Sequence, residues 1–190
     1  AGMSAPWTTP PRGSAAQLAG RLAAALPRLQ TPRLTLRAPQ IADGAAYDVI
    51  YRSDRWPHPD GLPDAEAAWL DFNSLVASWL LRGYGSWAIE DRARGDLLGF
   101  AILHHEFGDP EPEIGWAPLP EAEGRGIATE AAAAILAHAR TIGIAPVAYV
   151  DPGNPRSSSV ARRIGGHQDA AAEDGIGGAA EVWRFAEGAA

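Results

Sequence analysis

The stretch that decides the fold is residues 111–140, which read EPEIGWAPLPEAEGRGIATEAAAAILAHAR. The pattern predicts a strand over residues 113–117, a turn that contains Pro118 and Pro120, and an alanine-rich helix that begins near Gly126. Apolar residues recur along this helix at three- and four-residue steps, so that one stripe of it faces a core. The stripe consists of Ile127, Ala128, Ala131, Ala132, Ile135, Leu136 and Ala139.

The turn before this helix is rich in glycine. Gly124 and Gly126 have no side chains, so backbone N–H groups there can approach a ligand closely. A helix N-terminus presents unpaired N–H groups and a dipole that favours negative charge. Residues 123–128 are therefore predicted to cradle a pyrophosphate. A dinucleotide fingerprint is not favoured because Thr129 replaces its third glycine, and a P-loop is excluded because the chain has no lysine.

At these residues the chain resembles the GCN5-related N-acetyltransferase (GNAT) superfamily, and more narrowly its RimJ/RimL-like branch. The superfamily's signature is Gln or Arg, two residues, Gly, one residue, then Gly or Ala. Here Glu123, Gly126 and Ala128 occupy these positions, followed by the Thr129-Glu130-Ala131 that is often seen in this branch. Glu123 departs from the signature, because it places a carboxylate beside the expected phosphate.

A second motif strengthens the resemblance, which covers residues 31–186. Asn154-Pro155-Arg156-Ser157 is similar to the superfamily's asparagine–serine pattern before the short helix that flanks the pantetheine arm. Asn154 is placed to cap this helix and Pro155 to occupy its first position. Gly166 stands where the family usually has an aromatic residue.

The resemblance implies a three-layer α/β/α GNAT fold of the mixed α/β class, with a central, mostly antiparallel, splayed sheet. It also implies transfer of an acetyl group from acetyl-CoA, as co-substrate and without a metal, to an amine acceptor. The residues expected to bind the coenzyme are Trp116, Ala117, Pro118, Leu119, Glu123, Gly124, Arg125, Gly126, Ile127, Ala128, Thr129, Asn154 and Ser157.

An amine with a pKa of about 10 must lose a proton before it can attack. Glu113 is our hypothesis for the base, because by resemblance its strand runs beside the thioester; the alternative is a structural or surface glutamate. His104, His105 and Glu106 are rival candidates for the base. They do not indicate a metal site, since adjacent residues of a strand point to opposite faces.

Two further roles follow from this chemistry. Backbone N–H groups of residues 116–119 are candidates to stabilise the oxyanion, although Pro118 has no N–H. The hydroxyl of Ser157 is a candidate proton donor to the leaving thiolate, with a helix-cap contact as its alternative role; Tyr149 is the less favoured donor. Direct attack in a ternary complex needs no acyl-enzyme.

The remaining patterns are typical of an α/β chain. Strands are predicted at residues 34–37, 86–90, 97–104, 145–150 and 182–186, with a glycine-rich loop at 175–178. Helices are predicted at 14–26, capped by Ser14, at 43–53, and at 64–81, ended by Gly83. Trp69 and Trp79 have helical spacing that favours a core position, whereas Trp56 and His58, in a proline-bounded loop, are candidates for the acceptor site.

Composition limits the classes of function. At 190 residues with 46% hydrophobic residues, we expect an N-terminal extension over residues 1–30, partly flexible, and one domain over 31–190. A net charge of −7 argues against nucleic acid as a partner. The absence of cysteine excludes disulfides and thiolate chemistry. The sequence also lacks a run of about 18 apolar residues, which a membrane helix would require. A cytoplasmic enzyme is expected, and a homodimer is left open.

Three alternatives stay open within this framework. The acceptor can be a protein N-terminus or a small-molecule amine, since the RimJ/RimL branch contains enzymes for both. Another donor such as succinyl-CoA would be marked by a cation near the acyl pocket, for which Arg37 and Arg82 are candidates. Finally, the departures at Glu123 and Gly166 fit a CoA-binding regulatory module that has lost turnover.

Overall fold

The computed structural model describes residues 6–53 and 63–186. Its strands are β1 (Leu29–Gln30), β2 (Leu34–Arg37), β3 (Ser86–Asp91), β4 (Leu97–His104), β5 (Glu113–Pro118), β6 (Val147–Val150), β7 (Gly166–Gln168) and β8 (Glu181–Phe185). They form one sheet in the order β1-β2-β3-β4-β5-β6-β8-β7. All neighbouring strands are antiparallel except β5 and β6, which run parallel.

The sheet opens between β5 and β6. Their register contains one pair, Glu113 opposite Val147, where the N–H of Val147 donates to the carbonyl of Pro112 at 2.9 Å. Beyond this pair the two parallel strands diverge towards their C-terminal ends. We call the space between residues 115–118 of β5 and 148–150 of β6 the β5–β6 gap. Because the flanking strands lack mutual hydrogen bonds there, their inward-facing backbone groups are available to a ligand.

Helices cover both faces of the sheet. They are α1 (Gly13–Ala25), α2 (Gly44–Tyr51), α3 (Ala65–Arg82), α4 (Ile127–Thr141), α5 (Pro155–Arg163) and α6 (Ala170–Gly175). One hydrophobic cluster joins α4 and α5 to the sheet through residues such as Ile135 and Ala161. A second joins α2 and α3 to the opposite face through Tyr47, Phe72 and Ile102. The predicted three-layer, mostly antiparallel, splayed fold is therefore confirmed.

The alanine-rich helix α4 has the buried stripe that its sequence predicts. Ile127, Ala131, Ala132, Ile135, Leu136 and Ala139 are all buried, and Ala128 is partly exposed. The small alanine side chains let this helix lie close to the sheet. A glycine with positive φ stands next to each end of the helix, Gly126 at +75° and Gly143 at +73°.

Most of the predicted elements are confirmed, and one cap is wrong. Helix α3 begins after Asp64, whose carboxylate accepts the N–H of Ala67 at 2.9 Å, and it ends at the left-handed Gly83. Ser14 does not cap α1, because the helix begins one residue earlier, at Gly13, and the cap position belongs to Arg12 without a side-chain hydrogen bond. Ser14 therefore lies inside the first turn.

The sequence prediction missed three short elements. Strands β1 and β7 contain two and three residues, and α6 contains six. None is long enough to show a hydrophobic period, so only their tertiary pairing defines them. Helix α6 also takes in Gly175, which the sequence places in the loop.

The part of the N-terminal segment that follows α1 contacts the domain. No residue of α1 is buried, but the indole N–H of buried Trp87 donates to the carbonyl of Pro27 at 2.8 Å, and β1 pairs with β2. The boundary after residue 30 stays a prediction. In the described part of the chain, no helix combines the length and the hydropathy that a membrane span requires.

Position 99 in β4 requires glycine, because the backbone of β5 lies too close for a Cβ. Its φ is +142°, and a Cβ there would lie 2.4 Å from the carbonyl oxygen of Ala117. Because that neighbour is backbone, we expect Gly99→Ala to lower the free energy of unfolding by about 3 kcal/mol in urea denaturation. Gly115→Ala is the matched control, since its Cβ would meet Ile102 at an ordinary 3.5 Å. Equal stability of the two variants would contradict the steric account.

Candidate active site

The turn before α4 has the geometry of an anion cradle. Gly124 and Gly126 adopt positive φ angles of 69° and 75°, which residues with a Cβ rarely adopt. Gly126 is the N-cap of α4 and provides no side-chain cap bond, so the first N–H groups of the helix have no intrahelical acceptor. A Cβ at Gly124 would meet no atom within 4 Å, which leaves open space for a ligand. These features fit a pyrophosphate.

Arg33 holds this cradle in place, and sequence reasoning missed it. Its Nε lies 2.6 Å from Oε2 of Glu130 in the first turns of α4, and its Nη1 donates to the carbonyl of Arg125 at 2.9 Å. The hydroxyl of Thr31 also donates to Glu130. The Thr-Glu-Ala pattern identified Glu130, but nothing local in the sequence indicates a partner on the distant segment before β2.

The unusual carboxylate of Glu123 has a cationic partner. Its Oε2 lies 3.1 Å from Nη1 of Arg156 in the first turn of α5. The pair connects the cradle to the helix across the mouth of the β5–β6 gap. Arg156 is 84% exposed at its side chain, so the ion pair itself contributes little to stability. It does, however, offset the negative charge that the sequence places beside the predicted phosphate site.

The second motif caps α5 as predicted. The side chain of Asn154 accepts the N–H of Ser157 at 3.1 Å, and Pro155 is the first helical residue. The capped group is therefore the backbone of Ser157, not its hydroxyl. The next residue, Ser158, is buried and donates to Oε2 of Glu181 at 2.7 Å, which anchors α5 to β8.

Glu113 lies directly opposite His104 in the β4–β5 register. Its Oε2 is 3.3 Å from Nε2 of His104, whose Nδ1 is 3.2 Å from Oε1 of Glu106 but not aligned for a good hydrogen bond. His104 is 8% exposed. Of the other candidates for the base, His104 and Glu106 form a cluster with Glu113. His105 is not part of it, because its Nε2 lies 2.9 Å from the carbonyl oxygen of Asp109.

Burial and charge act in opposite directions within this cluster. Burial raises the pKa of Glu113, and the neighbouring His104 partly counteracts it. Burial alone would lower the pKa of His104, but its contacts with Glu106 and Glu113 outweigh burial and raise that pKa to about 10. The protonated imidazole in turn lowers the pKa of Glu106. A partly buried carboxylate with a raised pKa is a stronger proton acceptor than a fully exposed one.

The β4–β5 ladder determines which N–H groups face the gap. The N–H of Leu119 donates to the carbonyl of Leu98 at 2.9 Å, and hydrogen-bonded positions alternate along an antiparallel pair. Ala117 and Gly115 therefore also point towards β4, whereas the N–H of Trp116 points into the β5–β6 gap. Of the residues predicted to form the oxyanion site, Trp116 has the required direction, and the N–H of Leu119 is already bonded.

The two candidate proton carriers approach from opposite faces of the sheet. Glu113 shares a face with α2 and α3, because its partner His104 alternates with Ile102 of their cluster. Ser157 belongs to α5, which packs with α4 on the other face. Tyr149 lies on the Glu113 face, since its strand neighbours Ala148 and Val150 pack with α4.

A cavity that Tyr149 helps to line lies on that same face. It has a volume of about 280 Å³ and is lined by Pro110, Glu111, Tyr149, Ala172, Gly175, Ile176, Val182 and Arg184. Arg184 binds both oxygens of Glu111 at 2.7 Å and also bonds to Asp169, so its charge is balanced. Burial raises the pKa of Tyr149, which keeps its hydroxyl protonated.

The remaining candidates fall outside this site. Trp79 is buried edge-on against Trp87, with ring centroids 4.7 Å apart, so its predicted core position is confirmed. Trp69 is partly buried and packs against the edge of the second cluster, beside Phe72. Trp56 and His58 lie outside the described residues.

The cations proposed to mark a succinyl pocket are not placed for that role. The guanidinium of Arg37 is bound by Asp43 at 2.7 Å and by Glu90 at 2.6 Å, and Arg82 is exposed in the last turn of α3. Within residues 6–53 and 63–186, no group of three His, Cys, Asp or Glu residues is arranged to hold a metal ion.

Comparisons with known proteins agree with this geometry. Residues 33–167 match the model of the acetyltransferase (GNAT) domain. The uncharacterized protein YkkB of Bacillus subtilis (strain 168) is 31% identical over 151 residues, which cover 74% of this chain and 85% of YkkB. An acetyltransferase from Agrobacterium tumefaciens str. C58 superposes with a TM-score of 0.78 at 36% identity, covering 85% of this chain and 95% of that one.

The same fold occurs in RimL, a ribosomal L7/L12 α-N-protein acetyltransferase solved in complex with coenzyme A. Its TM-score is 0.61 at 19% identity, over 75% of this chain and 85% of RimL, which shows a shared fold. The chain belongs to the GNAT acetyltransferase family, as the glycine turn and the asparagine–serine motif predicted. It is accordingly an acetyltransferase, and the family to which it belongs uses acetyl-CoA.

Proposed function

We propose that the protein transfers an acetyl group from acetyl-CoA to a primary amine by direct attack within a ternary complex. The observation that carries this proposal is the position of Glu113. Glu113 forms the pair that joins β5 to β6, so it stands at the closed end of the gap. The cradle lies at the open end. A donor gripped at the cradle and extended along the gap would bring its thioester towards this carboxylate.

The chain's own residues supply four functions to this reaction. The N–H groups of residues 124–129 and the flanking 116–119 and 154–157 segments would hold the coenzyme. Glu113 takes the proton from the attacking amine. The N–H of Trp116 donates to the carbonyl oxygen as negative charge develops on it. The hydroxyl of Ser157 donates a proton to the leaving sulfur as the C–S bond breaks and the C–N bond forms.

The two faces of the sheet support a ternary complex. Ser157 lies on the α4–α5 face and Glu113 on the α2–α3 face. The donor can therefore enter from one side and the amine from the other, meeting in the β5–β6 gap. With this arrangement no residue of the chain needs to carry the acetyl group.

The test is acetyl-CoA-dependent release of free thiol with a panel of amines. The panel contains peptides with free α-amino groups and small-molecule amines, because both classes of acceptor stay open. Succinyl-CoA is the second donor; we expect it to be poor, because Arg37 is bound to two carboxylates. Tight coenzyme binding without turnover on any amine would instead support the regulatory module.

Glu123→Gln tests how the family's signature position works in this chain. The substitution removes a carboxylate from the cradle and releases Arg156, while the backbone donors stay. We expect coenzyme A to bind about threefold to fivefold more tightly by calorimetry, which corresponds to about 1 kcal/mol. Glu121→Gln, which removes the same charge from the exposed end of the adjacent turn, is the control. Weaker binding in Glu123→Gln alone would show that Glu123 positions the cradle.

A further inference from the structure

His104 occupies a position that the reaction described so far does not use. It is the last residue of β4, it is buried, and its two ring nitrogens face two carboxylates. Nε2 lies 3.3 Å from Glu113 on the neighbouring strand, and Nδ1 lies 3.2 Å from Glu106 in the following loop. A buried position strongly disfavours a charge without a partner. The protonation states of the two carboxylates and the imidazole ring therefore depend on one another.

Among the residues that the structure describes, the other titratable groups that interact electrostatically with this cluster are acids. Tyr47 and Tyr51 of α2 interact electrostatically with Glu106, and Asp109 of the loop interacts with Glu113. Asp71 of α3 accepts the hydroxyl of Tyr47. Each of these groups is neutral or negative at neutral pH, so none of them can compensate the charge of Glu113.

We propose that His104, with the carboxylate of Glu106 beside its Nδ1, is a positioning residue that keeps Glu113 ionised and fixes the direction of its carboxylate. The proposal rests on the proposed role of Glu113 as the base and deepens it. In this arrangement the imidazolium donates towards Oε2 of Glu113, which leaves Oε1 for the amine proton. Glu106 supports the imidazolium from the solvent side, since its own side chain is 53% exposed.

The physical reason is the balance of burial and charge. Burial pushes Glu113 towards its neutral form, in which it cannot accept a proton. The cation of His104 opposes this shift, and the raised pKa of His104, about 10, keeps that cation present at neutral pH. Without the imidazolium, burial acts unopposed and the pKa of Glu113 rises. The fraction of active enzyme at neutral pH then falls.

The first test is the pH profile of kcat/KM for His104→Gln. We expect its acidic limb to move to higher pH by about one unit or more, because an opposite charge at this range shifts a pKa by one to three units. The KM for acetyl-CoA should stay unchanged, since the cradle is elsewhere. His105→Gln is the matched control and should leave the limb in place, because His105 contacts the Asp109 carbonyl instead.

Glu106→Gln provides a second variant if His104→Gln does not fold. It removes the outer carboxylate and should move the same limb in the same direction by a smaller amount. A merely structural role for His104 would lower activity equally at every pH. An unshifted acidic limb in both variants would therefore overturn the proposal.

The second test does not require turnover and so separates this proposal from the proposed function. Imidazole NMR signals of the unmodified protein, assigned with His104→Gln, are followed from pH 5 to pH 10. We expect the His104 ring to stay protonated well above pH 8, consistent with its raised pKa of about 10. Titration of His104 near its ordinary 6.5 would overturn the proposal even if the enzyme is active. If His104 stays protonated but the protein shows no turnover, the result would contradict the proposed function instead.

Discussion

Replacing Gly126 by valine is expected to weaken coenzyme A binding by about a hundredfold, the loss of one or two charge-assisted hydrogen bonds. Gly126 has a φ of +75°, and a Cβ there would lie 3.4 Å from Nη2 of Arg33, which holds Arg125 and Glu130 in place. Valine is strongly disfavoured at such an angle. The first N–H groups of α4 would therefore turn away from the phosphates. Isothermal titration calorimetry measures the change.

Gly143→Val is the matched control for this variant. Gly143 follows the other end of α4 with a φ of +73°, and a Cβ there would meet no atom within 4 Å. Both variants should lose about 1–2 kcal/mol of stability, because each forces a side chain into the left-handed region. Only Gly126→Val should lose coenzyme binding. Unchanged binding in Gly126→Val, or an equal loss in both variants, would contradict the cradle.

Replacing Glu113 by glutamine is expected to lower kcat by about a hundredfold to ten-thousandfold, the usual contribution of general base catalysis. Glutamine keeps the shape of the side chain but cannot accept the amine proton. Acetyl-CoA should bind as tightly as before, since Glu113 lies at the opposite end of the gap from the cradle. Steady-state kinetics and calorimetry together separate the two effects.

The pH dependence gives this prediction a direction. Because burial raises the pKa of Glu113, the rate of the unmodified enzyme should rise with pH through that pKa as the carboxylate becomes ionised. This limb should vanish in Glu113→Gln. The Glu121→Gln variant removes a carboxylate that is exposed and should keep both the rate and the limb. Full activity of Glu113→Gln would remove Glu113 from the role of base.

The fold was predictable from sequence wherever a pattern ran over many residues. The stripe of α4, the end of α3 at Gly83 and the strands β3 and β4 all carry a period or a turn signal. Strands β1 and β7 and helix α6 carry none, because so few residues show no period. Ser14 was misplaced because the cap position of α1 belongs to Arg12, whose residue type is not one of the preferred caps, so the residue types do not mark where this helix begins.

The site was predictable only in part, for a similar reason. A local motif identified Gly126 and Asn154, since both act within their own turn, Gly126 through its backbone angles and Asn154 through its side chain. Arg33 acts on the cradle from far away in sequence, and the pairing of His104 with Glu113 depends on the register of two strands. Such contacts follow from tertiary structure and not from spacing along the chain.

The central claim is that backbone amides at the start of α4 bind the diphosphate of the coenzyme. Titration of ¹⁵N-labelled protein with coenzyme A, followed by amide NMR signals, tests it most directly. The account predicts that the largest shifts fall on residues 124–129, with smaller ones on residues 116–119 and 154–157. Saturation with coenzyme A that leaves the amides of residues 124–129 unmoved would contradict it.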